Sequence, residues 1–86
     1  MLAYIVLNCI PGNEKDVISE IKKLPQVVEV NGIMGKYDIF VKVVGEIPGD
    51  IDFATAKIRS IKGIINSCTM TALYFQGGTI DAEVKK

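Results

Sequence analysis

The chain has 86 residues, of which 49% are hydrophobic and 23% are charged, and its ten basic and ten acidic side chains cancel. This size and composition indicate one globular domain with a single core and exclude a disordered chain. The balanced charge argues against binding to a phosphate backbone, and the absence of histidine removes the commonest general base and a common metal ligand. With two cysteines and no apolar run of about 20 residues, neither a disulfide framework nor a membrane span is indicated, and a cytoplasmic location is expected.

The first quarter of the chain predicts a strand followed by a helix. Residues 2–9 are rich in β-branched and apolar residues and alternate between two faces, which is typical of a strand. Pro11 and Gly12 end this strand, and Asn13 is a candidate helix N-cap with carboxylates in the first turn. Apolar residues then recur at helical spacing: Val17, Ile18, Ile21 and Leu24. The helix must end before Pro25, because proline cannot continue it.

Residues 27–45 predict a hairpin of two strands joined by a tight turn. Valine, isoleucine, phenylalanine and tyrosine favour a half-buried pleated surface. Gly35 and Lys36 are placed at the bend, because glycine accepts the positive φ that short turns require. Both arms carry apolar residues on both faces, while polar residues gather at the turn. The turn is therefore where we expect a functional site.

A second helix is predicted after the hairpin. The turn-rich segment 46–50 precedes it, and Asp50 or Asp52 is the expected N-cap. Four apolar residues form its inward stripe: Ile51, Ala54, Ile58 and Ile61. The helix is expected to end near Ile61, with Gly63 as the glycine that follows a helix C-terminus.

The last predicted element is a strand over residues 64–75, again with apolar residues on both faces. Gly77 and Gly78 end it. The domain is therefore taken as residues 1–76, with residues 77–86 as a short C-terminal tail.

The predicted order β-α-β-β-α-β is that of the α+β, ferredoxin-like split βαβ arrangement. Right-handed crossovers place both helices on one face of a four-stranded antiparallel sheet, with the expected strand order 4-1-3-2. The opposite face then has no helix over it, although three strands supply apolar residues to it. Because soluble monomers rarely expose such a face, we expect a homo-oligomer.

The two cysteines lie on the first and last predicted strands, which should be antiparallel neighbours. Cys9 ends the first strand and Cys68 comes early in the last one, so the two could be close in space. The favoured interpretation is two small buried hydrophobic residues, and the alternative is a disulfide or redox role.

Four short motifs occur in order along these elements. They are Pro11-Gly12-x-Glu14, Pro25-x-Val27-x-Glu29, Gly35-x-Tyr37-Asp38 and Gly63-Ile64-x-x-Ser67-x-Thr69. Over residues 2–75 the set resembles the RAM domain, the effector-binding module of the leucine-responsive/AsnC (Lrp/AsnC, feast/famine) transcription regulators. The family usually has threonine where Ser67 stands, and serine keeps the hydroxyl. Full-length members carry an N-terminal helix-turn-helix, whereas this sequence begins at strand one, so the resemblance implies a stand-alone module without direct DNA binding.

The resemblance also implies how the module assembles and what it binds. Family dimers form across the sheets and assemble into larger rings, here an octamer or decamer, and small amino-acid effectors sit between dimers near the hairpin turn. Carried over to this sequence, the ligand-binding residues are Gly35, Lys36, Tyr37 and Asp38 at the turn and Ser67 and Thr69 on the last strand. The chemistry suits an amino acid, because its ammonium needs an acceptor and its carboxylate needs donors. Full-length Lrp/AsnC regulators are a further implied partner, and the resemblance implies no catalytic residue, metal or cofactor.

Each of these residues also has a purely structural interpretation. Gly35 can serve only the turn, and Asp38 can be a solvated turn residue. Tyr37 can pack in the core or an interface. Ser67 and Thr69 can occur because their types suit a strand.

Three other functions use the same or a related fold. An RNA-binding RRM needs stacking aromatic residues on its third strand, but residues 36–43, KYDIFVKV, match its motif only at Lys36, Phe40 and Val41. A small enzyme, such as an acylphosphatase or a cofactor-free monooxygenase, needs convergent catalytic groups, and the single arginine, Arg59, is expected on an outward helix face. An ACT-like amino-acid sensor is the nearest alternative, because Pro11-Gly12 partly supplies the ligand glycine that follows its first strand.

Overall fold

The structure is a computed structural model that describes residues 1–73 and 76–79. Its elements are β1 (Leu2–Cys9), α1 (Glu14–Ile21), β2 (Val27–Gly32), β3 (Ile39–Val44), α2 (Pro48–Arg59) and β4 (Ile64–Thr71). The strands form one antiparallel sheet in the order β2-β3-β1-β4, which is the predicted 4-1-3-2 order counted from the other edge. The predicted ferredoxin-like α+β fold is therefore confirmed. Neither helix in the described part of the chain is long and apolar enough to cross a membrane.

The core lies between the sheet and the two helices. Alternate residues of the central strands and one stripe of each helix are buried in it: Ala3, Ile5, Leu7, Cys9, Ile39, Val41, Val43, Val17, Ile21, Ile51, Ala54 and Ile58. Burying one large aliphatic side chain contributes about 1.5–3 kcal/mol, whereas an exposed ion pair contributes about 0–1 kcal/mol. The apolar layer therefore contributes far more to the stability than an exposed ion pair such as that between Lys23 and Glu20.

The other face of the sheet, called the open face below, is covered by neither α1 nor α2, since both helices pack on the core side. Its apolar residues come from three strands, as predicted, and these are β1, β3 and β4: Tyr4, Val6, Phe40, Val44 and Met70. The rings of Tyr4 and Phe40 have their centroids 5.7 Å apart. Val44 and Met70 are 43% and 44% exposed. The predicted apolar face opposite the helices is present.

The second helix begins earlier than the sequence indicated. It starts at Pro48, not after Asp50 or Asp52, because proline has its φ preset for the first helical position and needs no hydrogen bond there. Asp50 still caps the helix, but from its third residue: its carboxylate Oδ2 accepts hydrogen bonds from the backbone N–H groups of Glu46 and Ile47 at 2.8 and 3.2 Å. The helix ends at Arg59, two residues before the predicted end.

The first helix begins where it was predicted, but it ends at Ile21, before Leu24 of the predicted stripe, and it lacks the predicted cap. Asn13 occupies the N-cap position, yet its side chain makes no capping hydrogen bond. The Asn13 amide instead lies against Gly63, where an added Cβ would come within 2.9 Å of the Asn13 Nδ2. Gly63 has a φ of +102°, so both its conformation and its surroundings favour glycine.

The hairpin connection is longer than the predicted tight turn. β2 ends at Gly32 and β3 begins at Ile39, so six residues, 33–38, join them. The backbone N–H of Ile33 donates to the carbonyl of Asp38 at 2.9 Å and closes this loop.

The last strand is shorter and less regular than predicted. It ends at Thr71, and the end of the predicted strand (residues 74–75) and most of the predicted tail (residues 80–86) lie outside the described residues. Asn8 pairs with Asn66 while Cys9 pairs with Ile64, which leaves Ile65 as the extra residue of a β-bulge.

The cysteines are not close enough to bridge. Cys68 pairs with Val6, three residues before Cys9, and points to the open face, whereas Cys9 is buried in the core. The predicted proximity is wrong, and so is the expected burial of Cys68, which is exposed. Side chains on opposite faces of a sheet cannot form a disulfide without movement of the backbone.

Candidate functional site

One end of the sheet, called the loop end below, brings together the predicted ligand-binding segments. Leu7 of β1 pairs with Ile39 on one side and with Ser67 on the other. The loop of residues 33–38, which precedes β3, and the start of β4 therefore lie at the same end of the sheet. The backbone N–H of Ile10 donates to the carbonyl of Gly63 at 2.8 Å, which ties the exit of β1 to the segment before β4.

The tip of the loop is exposed. Gly35 has a φ of +147°, at the edge of the region that favours glycine, and an added Cβ would have no atom within 4 Å. Backbone conformation, and not lack of space, is therefore the reason for glycine at this position. Lys36 is exposed, with its Nζ 5.9 Å from the ring centroid of the half-buried Tyr37. Such an exposed cation–π contact contributes only about 0.5–1 kcal/mol, so Lys36 keeps its freedom to meet a ligand.

Asp38 joins the loop to β1. Its carboxylate Oδ2 accepts a hydrogen bond from the backbone N–H of Cys9 at 3.0 Å, and its own N–H donates to the carbonyl of Leu7 at 2.9 Å. Together with the bond from Ile33, these contacts hold the half-buried Asp38 in place. The sequence pattern gave no sign of this structural role, since the partners are distant in sequence. One of the two carboxylate oxygens is used by Cys9, and the other is left for further partners.

Cys9 does not have the character of a nucleophile. Burial raises the pKa of its thiol, and the nearby carboxylates of Glu14 and Asp38 raise the pKa further. The thiol therefore stays protonated at neutral pH, whereas a nucleophilic cysteine needs the thiolate.

The two predicted hydroxyl residues lie across β1 from the loop. Ser67 pairs with Leu7 and is half-buried, and Thr69 pairs with Ile5 and is exposed. Because neighbouring strands are about 4.8 Å apart, β4 and β3 are separated by roughly 10 Å with β1 between them. The structure thus groups Gly35 through Asp38 in one loop, places Ser67 at the same end of the sheet, and places Thr69 farther along β4.

Arg59 is a residue at this end that the sequence analysis placed on an outward helix face. It is the last residue of α2 and lines a groove with the first residues of β4, which are Ile64, Ile65, Asn66 and Ser67. The groove has a volume of about 360 Å³. The short connection between α2 and β4 is the sequence signal that could have indicated this proximity.

Metal-ligating side chains do not cluster in the described part of the chain. Among residues 1–73 and 76–79, no group of three or more cysteine, aspartate or glutamate side chains is arranged to hold a metal ion.

The fold is that of a small ferredoxin-like α+β domain, and the four sequence motifs lie in order along its elements. Residues 2–75 match the family model of the Lrp/AsnC ligand binding domain. The chain therefore belongs to the Lrp/AsnC ligand-binding domain family, and the resemblance drawn from its four motifs is confirmed.

Known proteins support this assignment. The HTH-type transcriptional regulator FL11 of Pyrococcus horikoshii is 31% identical over 85 residues, which is 99% of this chain and 56% of the regulator. The chain thus spans little more than half the length of this curated relative. Among solved structures, the hypothetical protein PHS023 of Pyrococcus horikoshii is 34% identical with a TM-score of 0.77, covering 84% of this chain and 88% of that one. TTHA0845 of Thermus thermophilus is 26% identical with a TM-score of 0.79, covering 84% and 91%.

Proposed function

We propose that this domain binds a small effector, an amino acid in the first instance, and that binding changes how the domain assembles with copies of itself. The observation that carries the proposal is the match to a ligand-binding domain family over residues 2–75. The relative FL11 is a transcriptional regulator, which favours a regulatory role over catalysis. The domain then acts on transcription through self-assembly or through co-assembly with full-length Lrp/AsnC regulators. Its formal net charge of zero supports a role without direct DNA contact.

The open face supports the assembly part of this proposal. Tyr4, Val6 and Phe40 form a contiguous apolar centre across β1 and β3, and the exposed Val44 and Met70 extend it. Two such sheets can pack face to face about 10 Å apart around a two-fold axis, which buries the same patch on both copies. The proposed unit is a homodimer formed in this way, which assembles further into an octamer or decamer.

The loop end supplies the proposed effector contacts. Gly35 through Asp38 offer backbone groups, a cation, a phenol and a carboxylate, and Ser67 and Thr69 offer hydroxyls. Because β1 separates the two sets within one chain, an effector that touches both fits best between copies. The free oxygen of Asp38 would then accept from the ammonium of the amino acid, and Lys36 would influence ligand choice.

Static light scattering on a gel-filtration column, with thermal melting at fixed protein concentration, tests the proposal against each of the twenty amino acids. We expect an oligomer whose mass or melting temperature changes with one amino acid. A ligand at a hundred times its Kd stabilises the folded state by about 2.7 kcal/mol. For a domain of this size that corresponds to a rise of roughly 10–20 °C in Tm.

Two results would contradict different parts of the proposal. A protein that stays monomeric at tens of micromolar contradicts the assembly through the open face. A stable oligomer that responds to none of the amino acids contradicts the effector role and leaves a subunit that docks on a partner.

A further inference from the structure

The groove at the end of α2 is large enough to hold a small ligand. Its walls are Arg59 from the helix and Ile64, Ile65, Asn66 and Ser67 from the edge strand β4. Its volume of about 360 Å³ lies within the range of about 300–1,000 Å³ that is usual for small-molecule sites.

Two polar side chains of the groove, Arg59 and Ser67, are donors that have no partner in the described part of the chain. Within residues 1–73 and 76–79, the Arg59 guanidinium makes no hydrogen bond or ion pair, and neither does the Ser67 hydroxyl. The side-chain oxygen of Asn66 accepts a hydrogen bond from the Asn8 amide at 3.2 Å, so the Asn66 side chain lies on the open face, across the sheet from Ser67, and is not counted among the donors of the groove. The five lining residues include no carboxylate. The groove therefore offers hydrogen-bond donors and one positive charge.

We propose that this groove binds the carboxylate of a small aliphatic acid, with the Arg59 guanidinium as the main contact. A guanidinium binds a carboxylate through two parallel N–H···O bonds, a geometry that lysine cannot reproduce. The Ser67 hydroxyl donates a further bond, and Ile64 with the 62%-exposed Ile65 supplies an apolar wall for a short branched chain. This assignment rests on the proposed function, because it makes Ser67 and Arg59 the contacts of the effector's carboxylate.

The lining also predicts which acids bind. No lining side chain is a carboxylate that could pair with an ammonium group. An acid without an α-amino group is therefore expected to bind this groove, although it lacks the ammonium contact that is proposed for Asp38.

The partial negative charge at the C-terminus of α2 opposes anion binding, but this effect is smaller than the attraction of the Arg59 guanidinium. Arg59 ends α2, and the partial negative charge at a helix C-terminus weakens anion binding by about two- to fivefold. Ser60 reduces this effect, because its N–H and hydroxyl donate to the carbonyls of the last turn. A hydrogen bond between charged groups strengthens binding by about ten- to a hundredfold, so the guanidinium prevails.

Charge distinguishes this groove from a neighbouring one. A larger groove of about 510 Å³ lies between α1 and the segment after α2, and its walls include the carboxylates of Asp16 and Glu20 beside Lys62. These carboxylates repel an anion. The smaller groove is thus the better carboxylate site despite its size.

Isothermal titration calorimetry with 4-methylpentanoate tests the proposal, and the neutral 4-methylpentanamide is the matched ligand control. We expect the acid to bind and the amide to bind at least tenfold more weakly. R59Q should weaken binding of the acid by at least tenfold, and R59K by less, because its ammonium keeps the charge without the bidentate geometry. S67A should weaken binding by about two- to tenfold. K57Q removes a cation from the same helix outside the groove and should change the affinity by less than twofold.

Several outcomes would overturn the proposal. If the acid does not bind, or if R59Q binds it as tightly as the wild type does, the groove is not a carboxylate site. If R59Q and K57Q weaken binding of the acid equally, the positive charge of the helix attracts the acid without a specific contact from Arg59. A change of oligomer mass in R59Q with unaltered acid binding assigns Arg59 to a contact between copies.

If one amino acid shifts the Tm of the wild type and of R59Q alike, the groove assignment fails while the effector function stands. If the acid binds through Arg59 but no amino acid acts on the protein, the amino-acid function fails while the groove stands.

Discussion

The carboxylate Oδ2 of Asp38 accepts a hydrogen bond from the backbone N–H of Cys9, with 3.0 Å between the heavy atoms. The bond joins the loop before β3 to the last residue of β1, which lies 29 positions earlier in the chain. One aspartate thus satisfies a partly buried backbone donor and fixes the position of the loop. A residue that the family motif associates with the ligand therefore has a structural role in the free domain.

Replacing Asp38 should separate its structural role from a ligand role. In D38A the Cys9 N–H loses its partner, and we expect the free energy of unfolding to fall by about 1–3 kcal/mol. D38N keeps an acceptor oxygen in nearly the same place and should lose less than about 1 kcal/mol. Urea denaturation of both variants measures the difference.

The exposed Asp52 on α2 provides the control, since D52A should change the free energy of unfolding by less than about 0.5 kcal/mol. Equal losses in D38A and D38N would show that the hydrogen bond to Cys9 does not matter. A D38N variant that is stable but unresponsive to the effector would assign the remaining carboxylate oxygen to the ligand.

Two glycines near the start of α2 should respond to alanine in opposite directions. A Cβ at Gly45 would lie 2.5 Å from the Cβ of Asp50, the residue that caps the helix, so G45A must displace it. We expect G45A to lose about 1–3 kcal/mol of unfolding free energy. A Cβ at Gly49 would meet its nearest atom at 3.7 Å, an ordinary contact, and G49A should gain about 0.4–1 kcal/mol. Paired denaturation curves test this, and a neutral G45A would contradict the crowding.

A charge at the centre of the open face should break the assembly. Val6 pairs with Phe40 on one side and Cys68 on the other, so V6K places an ammonium in the middle of the proposed interface. We expect light scattering to show a shift towards monomer with little loss of helix by circular dichroism. F53Q is the control, because Phe53 is 50% exposed on α2, in the opposite layer. If V6K forms oligomers with the mass of the wild type, the interface does not lie on the open face.

The two thiols should differ in reactivity. In the free subunit Cys68 is exposed on the open face, and Cys9 is buried. We expect a V6K monomer treated with an excess of a chromogenic disulfide reagent to label one thiol quickly and the second only as the protein unfolds. The C68S variant should lose the fast phase, and an intramolecular disulfide formed under mild oxidation would contradict the register of β1 with β4.

Cys9 should also make stability depend on pH in the alkaline range. Burial raises the pKa of the folded thiol, so above about pH 8.5, the ordinary thiol value, the unfolded state loses its proton first. This group has no effect on the free energy of unfolding at neutral pH and lowers it as the pH rises, until the folded thiol ionises as well. Above pH 8.5 the stability of the wild type should fall more steeply than that of C9A. Parallel curves for the two proteins would contradict the raised pKa.

Local patterns in the sequence were enough to predict the order of the helices and strands and to predict which residues of β1 and β3 lie on each face of the sheet. The segment that contains α1 could be located between Pro11 and Pro25, because proline interrupts a helix, although the helix itself ends at Ile21. The alternation along β1 and β3 was enough to predict a buried face and an open apolar face, because neighbouring side chains on a strand point to opposite sides. The four family motifs likewise lie in short segments and were readable directly.

Contacts between distant segments required the tertiary structure. The bulge at Ile65 shifts the pairing of β1 with β4 and decides that Ser67 shares the helix side with Leu7. The bond from Cys9 to Asp38 depends on how the loop closes against β1. The groove beside Arg59 depends on where α2 ends relative to β4. A shift of one residue in register turns every side chain of a strand to the other face, and no local pattern specifies that register once both faces of the strands carry apolar residues.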